Sequence, residues 1–212
     1  MELFASVLRL DRAACKALRI KDVYSLHRAV YSLFDDVRSE KEKNASMSSG
    51  IQWVDKGGNT LHRQVLILSN RKPKQTVDGI HGKVESKILP SSFLNHSMYR
   101  FEVMMNPVQR DNKTRKLIPI KGKEAIANWF INSAEKNWGF TVDTSKLQVE
   151  NVSFLQFEAK HSITLVQAKL SGFFSVSDSI VFSQSVEKGI GRGRSFGCGL
   201  LQIVPVIESP LF

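Results

Sequence analysis

With 212 residues and 42% hydrophobic side chains, the chain carries enough apolar surface for one large domain or two small ones, which excludes a disordered polymer. Thirty Lys plus Arg against twenty Asp plus Glu leave a net charge of +10, spread over several clusters, and that balance favours a polyanionic partner, most often nucleic acid. Cys15 and Cys198 lie far apart and are not grouped with histidines, so neither a disulfide framework nor a zinc site is expected; no apolar run reaches the ~20 residues that span a bilayer, and the expectation is a soluble cytoplasmic protein with no membrane partner.

In chain order, Glu2 to Leu10 predicts a strand, and KDVYSLHRAVYSLFDDV, Lys21 to Val37, has helical period with Asp22 as its N-cap. Ile51 to Asp55 and Thr60 to Ser69, joined by KGGN, predict a hairpin, and HGKVESKIL a weaker strand. LPSSFLNHS, Leu89 to Ser97, groups Pro, Ser and Asn as a linker. The pattern then restarts: a strand over Met98 to Met105, a helix over Lys123 to Trp138 stopped by Gly139, and two longer strands in LQVENVSFLQF and HSITLVQAKLSGFF. A short helix capped by Asp178 and a final strand over Cys198 to Ile207 complete the chain. The second half reads β-α-β-β-α-β and the first half the same order with its second helix reduced, so the expected class is α+β: two tandem ferredoxin-like domains, residues 1–90 and 98–212, with a single larger α+β domain as the alternative.

Around the first helix, Val23, Leu26, Val30, Leu33, Phe34 and Val37 gather into one apolar stripe, while Tyr24, His27 and Tyr31 stand at i, i+3 and i+7 on its flank. A phenol beside an imidazole suits RNA cleavage. An imidazole near its ordinary pKa of ~6.5 can take a proton from a ribose 2′-hydroxyl or give one to a departing 5′-oxygen, and a phenol can hold the 2′-hydroxyl in line. A histidine on a helix edge is also, more often, a satisfied boundary residue, and Tyr31 reads as packing. Arg28 lies just beyond the pair, and Arg38 returns to the same side if the helix continues. No carboxylate cluster stands ready to hold a metal, so no cofactor or metal is expected.

GIGRGRSFGCGLL, Gly189 to Leu201, lies between a helix and a strand and fits neither a Walker loop nor a dinucleotide fingerprint. Two readings stay open and are compatible. The backbone N–H groups with Arg192, Arg194 and Ser195 can meet a phosphodiester backbone, or the glycines let the last strand pack tightly. Cations also cluster in loops, at RKPK, Arg71 to Lys74, and between Arg110 and Lys123, which read either as ordinary solvated loops or, the favoured reading, as a phosphate track in which Arg115 and Lys116 join Arg110. The aromatic octapeptide of RNA-recognition sheets is absent, so recognition of a helical stem by charge and shape fits better than stacking of bases.

Three stretches carry a resemblance: VYSLHRAVYSLF, Val23 to Phe34; RFEVMMNPVQR, Arg100 to Arg110, with its Asn106-Pro107; and KGIGRGRSFGCGLLQIVP, Lys188 to Pro205. Together they resemble the CasE family of CRISPR RNA-processing endoribonucleases, the repeat-cleaving subunit of Cascade, over nearly the whole chain in order. The resemblance implies metal-independent cleavage of a CRISPR repeat at the foot of its hairpin, leaving a 2′,3′-cyclic phosphate and a 5′-hydroxyl. By position it makes Tyr24 and His27 the active-site pair, with His27 moving the proton. It further implies partners: the crRNA hairpin, which members commonly keep after cutting, and other Cascade subunits, especially the adjacent backbone subunit. A basic hairpin that members often carry between the middle strands of the second domain is cut here to about EAKHS, with Lys160 as its only clear cation. A non-catalytic RNA-binding subunit of the same assembly, and a basic RNA-binding protein unrelated to CRISPR, are the competing readings.

Overall fold

The structure is a computed structural model that describes residues 2–37, 41, 49–58, 62–158 and 162–207. It divides into two compact units: Met1–Leu89 with Phe157–Ser162 and Ser195–Gly197, and Pro90–Gln156 with Ile163–Arg194 and Cys198–Phe212.

In the first unit β1 (Phe4–Asp11) leads through α1 (Arg12–Ala17) into α2 (Val23–Ser32), followed by β2 (Ile51–Gly58), β3 (His62–Ser69) and β4 (Lys83–Ile88). The strands form one antiparallel sheet in the order β2-β3-β1-β4. That is the ferredoxin-like order, and no helix occupies the stretch between β3 and β4, where only a bridge of Val77 with His81 is formed. Strand alternation turns Leu8 and Leu10 of β1, Trp53 of β2, and Val65 and Ile67 of β3 toward α2, where Leu26, Val30, Leu33 and Phe34 complete a buried core.

α2 starts where the sequence places its cap. The Asp22 carboxylate accepts the Ser25 N–H at 2.7 Å, and the Ser25 hydroxyl in turn accepts the Asp22 N–H at 3.0 Å, a reciprocal pair that serves two of the helix's orphan donors. These bonds hold the Asp22 carboxyl below its ordinary range. The helix ends earlier than its periodicity suggests. Lys74 N–H takes the Leu33 carbonyl at 2.8 Å, and Val37, expected on the apolar stripe, is 69% exposed. α1 has no counterpart in the sequence reading.

The second unit runs β5 (Met98–Met105), β6 (Val108–Arg110), β7 (Leu117–Pro119), α3 (Lys123–Ser133), β8 (Phe140–Val142), β9 (Gln148–Glu158), β10 (Ser162–Val176), α4 (Ser179–Lys188) and β11 (Gln202–Pro205). Its sheet has the order β11-β5-β10-β8, with β9 also on β10, so β8 and β9 share the place of the second ferredoxin-like strand. The basic stretch expected as a loop forms a hairpin, β6 with β7. The last strand is shorter than Cys198 to Ile207: Cys198 to Leu201 are buried but lie outside the strand, because the Cys198 N–H is taken by the Gly193 carbonyl and the Gly199 carbonyl accepts the Ile190 N–H, while the Gly199 N–H reaches β5 at the Met104 carbonyl.

Between sheet and helices lies an aromatic core of Tyr99, Phe101, Phe130, Phe140, Phe174 and Phe182, with Phe140 and Phe174 centroids 4.3 Å apart. Such pairs add roughly 0.5–1.5 kcal/mol each beyond the area they bury. α3 ends in a wide turn at Ala134–Trp138, and Gly139, at φ +74°, stops it as expected. A side chain there would strike the Asp178 carbonyl and the Phe182 nitrogen within 2.6 Å. Asp178 itself caps α4 by accepting the Ile180 and Val181 N–H groups, both at 3.0 Å.

Candidate active site

The apolar stripe of α2 fixes the helix's rotation, and with it the position of the flank. Tyr24, His27 and Tyr31 are all half-buried, whereas Arg28 is exposed. The His27 ring stacks near-parallel to Tyr24, with centroids 6.2 Å apart and 14° between planes, and lies closer still to Tyr31, at 4.1 Å. Tyr31 is tied in turn, its hydroxyl 3.0 Å from the Ser49 hydroxyl. The Tyr24 hydroxyl makes no hydrogen bond among the described residues.

A third element reaches the ring. Ser195–Gly197 of the glycine loop belongs to the same unit, and the Ser195 carbonyl lies 2.7 Å from His27 Nδ1. A carbonyl can only accept, so Nδ1 carries the hydrogen and Nε2 is left with its lone pair in the neutral ring. The Phe196 ring packs 5.8 Å from His27 and 4.8 Å from Phe157. Burial lowers the His27 pKa below the ordinary 6.5, and the Ser195 carbonyl, which favours the protonated ring, opposes that only in part. Among the described residues no charged side chain contributes. At neutral pH the ring is therefore an uncharged imidazole with one nitrogen unpartnered among the described residues, able to accept a proton and, once protonated, to return it.

What passes so close to the glycines is the protein itself. Gly199 sits against the Ile190 carbonyl with no room for a side chain, and its φ is +81°. Gly191 and Gly193, also at positive φ, lie beside the Met105 methyl and the Asn106 side chain. The packing reading of these glycines is met. The cations of the loop differ from one another: Arg192 is exposed and without a partner among the described residues, while Arg194 donates to the Lys188 carbonyl at 2.7 Å and so caps the C-terminus of α4. Ser195 is exposed.

Arg110, Arg115 and Lys116 come together on the β6–β7 hairpin, all exposed, with Arg110 donating to the Arg115 carbonyl at 2.7 Å. Arg38 and Lys160 lie outside the described residues. Ser49 and Phe196 were not expected at the site; helical spacing placed Tyr31 on the flank, read there as packing, while the contact of His27 with Ser195 spans 168 positions of sequence and left no local signal. Among the described residues no three His, Cys, Asp or Glu side chains gather into a metal-sized group. No helix among them is long and apolar enough to cross a membrane. Both cysteines are free, and burial pushes the Cys198 thiol up to about 12.

Residues 3–205 match the family described as CRISPR associated protein. Three solved structures share the fold. A CRISPR endoribonuclease Cse3 bound to 19 nt RNA is similar at 19% identity, over 97% of this chain and 100% of that one, with a TM-score of 0.80. The Thermus thermophilus Cse3 bound to an RNA representing a pre-cleavage complex gives the same 19% identity, 97% and 100% coverage, and TM-score of 0.80. A chain of a CRISPR RNA-guided surveillance complex, pre-nicking, is 22% identical over 96% of this chain and 100% of its own, with a TM-score of 0.68. No curated protein matches the chain in sequence.

Proposed function

The chain belongs to the CRISPR-associated protein family, and on that premise we propose that it is an endoribonuclease that cleaves CRISPR repeat RNA at the base of its hairpin without a metal ion. The observation that carries the reading is the His27 ring, half-buried beside Tyr24 and held through Nδ1, with Nε2 unpartnered among the described residues. The 2′-hydroxyl attacks the adjacent phosphate. The O2′–P bond forms, the P–O5′ bond breaks, and the net movement of one proton from O2′ to O5′ leaves a 2′,3′-cyclic phosphate and a 5′-hydroxyl. His27 carries that proton, and Tyr24 holds the 2′-hydroxyl in line.

Residues 1–90 form the domain with the chemistry, and residues 98–212 the one that holds the stem. Arg28 beside the pair, Arg192 and Arg194 of the glycine loop, and the β6–β7 cations supply phosphate contacts, with Arg38 and Lys160 as further candidates. The match to a chain of an RNA-guided surveillance complex supports retention of the cut hairpin within a multi-subunit assembly, against its adjacent backbone subunit. The test is cleavage of the host's repeat RNA in excess EDTA by wild type and His27→Ala, with a second substrate carrying 2′-deoxyribose at the cut site. Wild-type cleavage, lost in both controls, is the expected result. Tight hairpin binding without cleavage would replace the enzyme with an RNA-binding subunit of the same assembly.

A further inference from the structure

The glycine loop reaches the His27 ring. Its Ser195–Gly197 segment touches the catalytic ring at two points, by the carbonyl at Nδ1 and by the Phe196 face. Two anchors hold the segment. Phe196 packs on Phe157, and Gly197, at φ +78°, lies against Trp53, whose six-membered ring would stand 3.1 Å from any side chain added there. Trp53 is fully buried in the first unit's core. The path from that core to Nδ1 is therefore short and made of packed groups: indole, glycine backbone, carbonyl, imidazole.

We propose that the Ser195–Gly197 segment is a positioning element for catalysis, whose main-chain carbonyl selects the Nδ1–H tautomer of His27 and so makes Nε2 the nitrogen that exchanges the proton with RNA. Free imidazole divides between two tautomers, and each leaves a different nitrogen able to accept. A carbonyl at 2.7 Å removes that division. When Nε2 accepts the O2′ proton, the ring becomes a cation with both nitrogens donating. The Ser195 oxygen then faces a charged donor, a stronger hydrogen bond than the neutral one it replaces. The same proton leaves from Nε2 to O5′ as the P–O5′ bond breaks, and the ring returns to its starting tautomer. The Ser195 hydroxyl has no part in this. Tyr31, 4.1 Å from the ring and tied to Ser49, packs on the imidazole and resists its rotation.

This inference rests on the endoribonuclease reading, yet its test does not need turnover. In protein labelled with 15N at histidine, long-range proton–nitrogen correlation spectra identify which ring nitrogen bears hydrogen, and His27→Gln assigns the signal among the five histidines. The expected wild-type spectrum, without RNA and above the ring's pKa, shows His27 as the Nδ1–H tautomer alone. Gly197→Ala, which forces the loop off Trp53, and Phe196→Leu, which keeps an apolar side chain if the first variant fails to fold, should both admit the other tautomer. In either variant the single-turnover cleavage rate at saturating RNA should fall tenfold or more while hairpin affinity is unchanged. A wild-type ring protonated at Nε2, or a variant in which the tautomer is lost and the rate is kept, overturns the proposal. If the tautomer is as expected and wild type never cuts, the endoribonuclease reading fails and the positioning role falls with it.

Discussion

His27 couples the proposed chemistry to stability through one lowered pKa. In the unfolded chain its imidazole protonates at the ordinary 6.5, and in the folded protein at a lower pH, because burial disfavours the cation. Between the two values the unfolded state binds the extra proton. The stabilisation is thus whole above pH 6.5 and is lost as pH falls through that point toward the folded pKa. The urea midpoint should drop between about pH 7 and pH 5, and His27→Gln should flatten that part of the profile. In the rate profile, the acid limb for kcat/KM should lie below pH 6.5 and vanish in the same variant. His27→Ala should lose about 10²–10⁴ in cleavage rate, the usual worth of a general acid–base group. The helix flank made Tyr24 and His27 legible in sequence, since three residues set them side by side. The partner that orients the ring was not legible, because a main-chain carbonyl has no residue type.

Elements whose ends are decided locally were readable, and those decided by distant backbone were not. Asp22 and Asp178 announced α2 and α4 because a carboxylate before an apolar period needs only its own neighbours to cap a helix. Asp11 does the same for α1 by accepting the Ala14 N–H at 2.7 Å, but six residues of mixed polarity hid the element behind it. The far end of α2 depends on Lys74, and the start of β11 on the Cys198 N–H given to the Gly193 carbonyl and the Ile190 N–H taken by the Gly199 carbonyl, so apolar periodicity overran both. Asp22→Ala should cost about 1 kcal/mol in a denaturation experiment, the usual value of a lost N-cap. Asp178→Ala should cost a similar amount.

For the molecule as a whole, the ferredoxin-like order was visible twice in the sequence because each unit writes its strands and helices in series, with a linker near Pro90. The net charge of +10 has consequences that no single contact shows. Hairpin binding should weaken steeply with salt, with log K falling linearly in log salt by roughly 0.9 for each phosphate neutralised. Lys116→Ala on the exposed β6–β7 hairpin should reduce that slope by about 1 and leave the single-turnover rate at saturating RNA intact. An unchanged slope would remove the hairpin from the phosphate track.

Trp53 offers an optical use of the packing that holds the glycine loop. It is the first unit's tryptophan, fully buried, while Trp129 and Trp138 belong to the second unit. With those two replaced by phenylalanine, the chain carries a single fluorophore whose dry surroundings set its emission toward the blue. A ligand that lifts Gly197 from the indole would admit water and move the emission to the red. Loop displacement would then be read in real time and separately from any cut in the RNA.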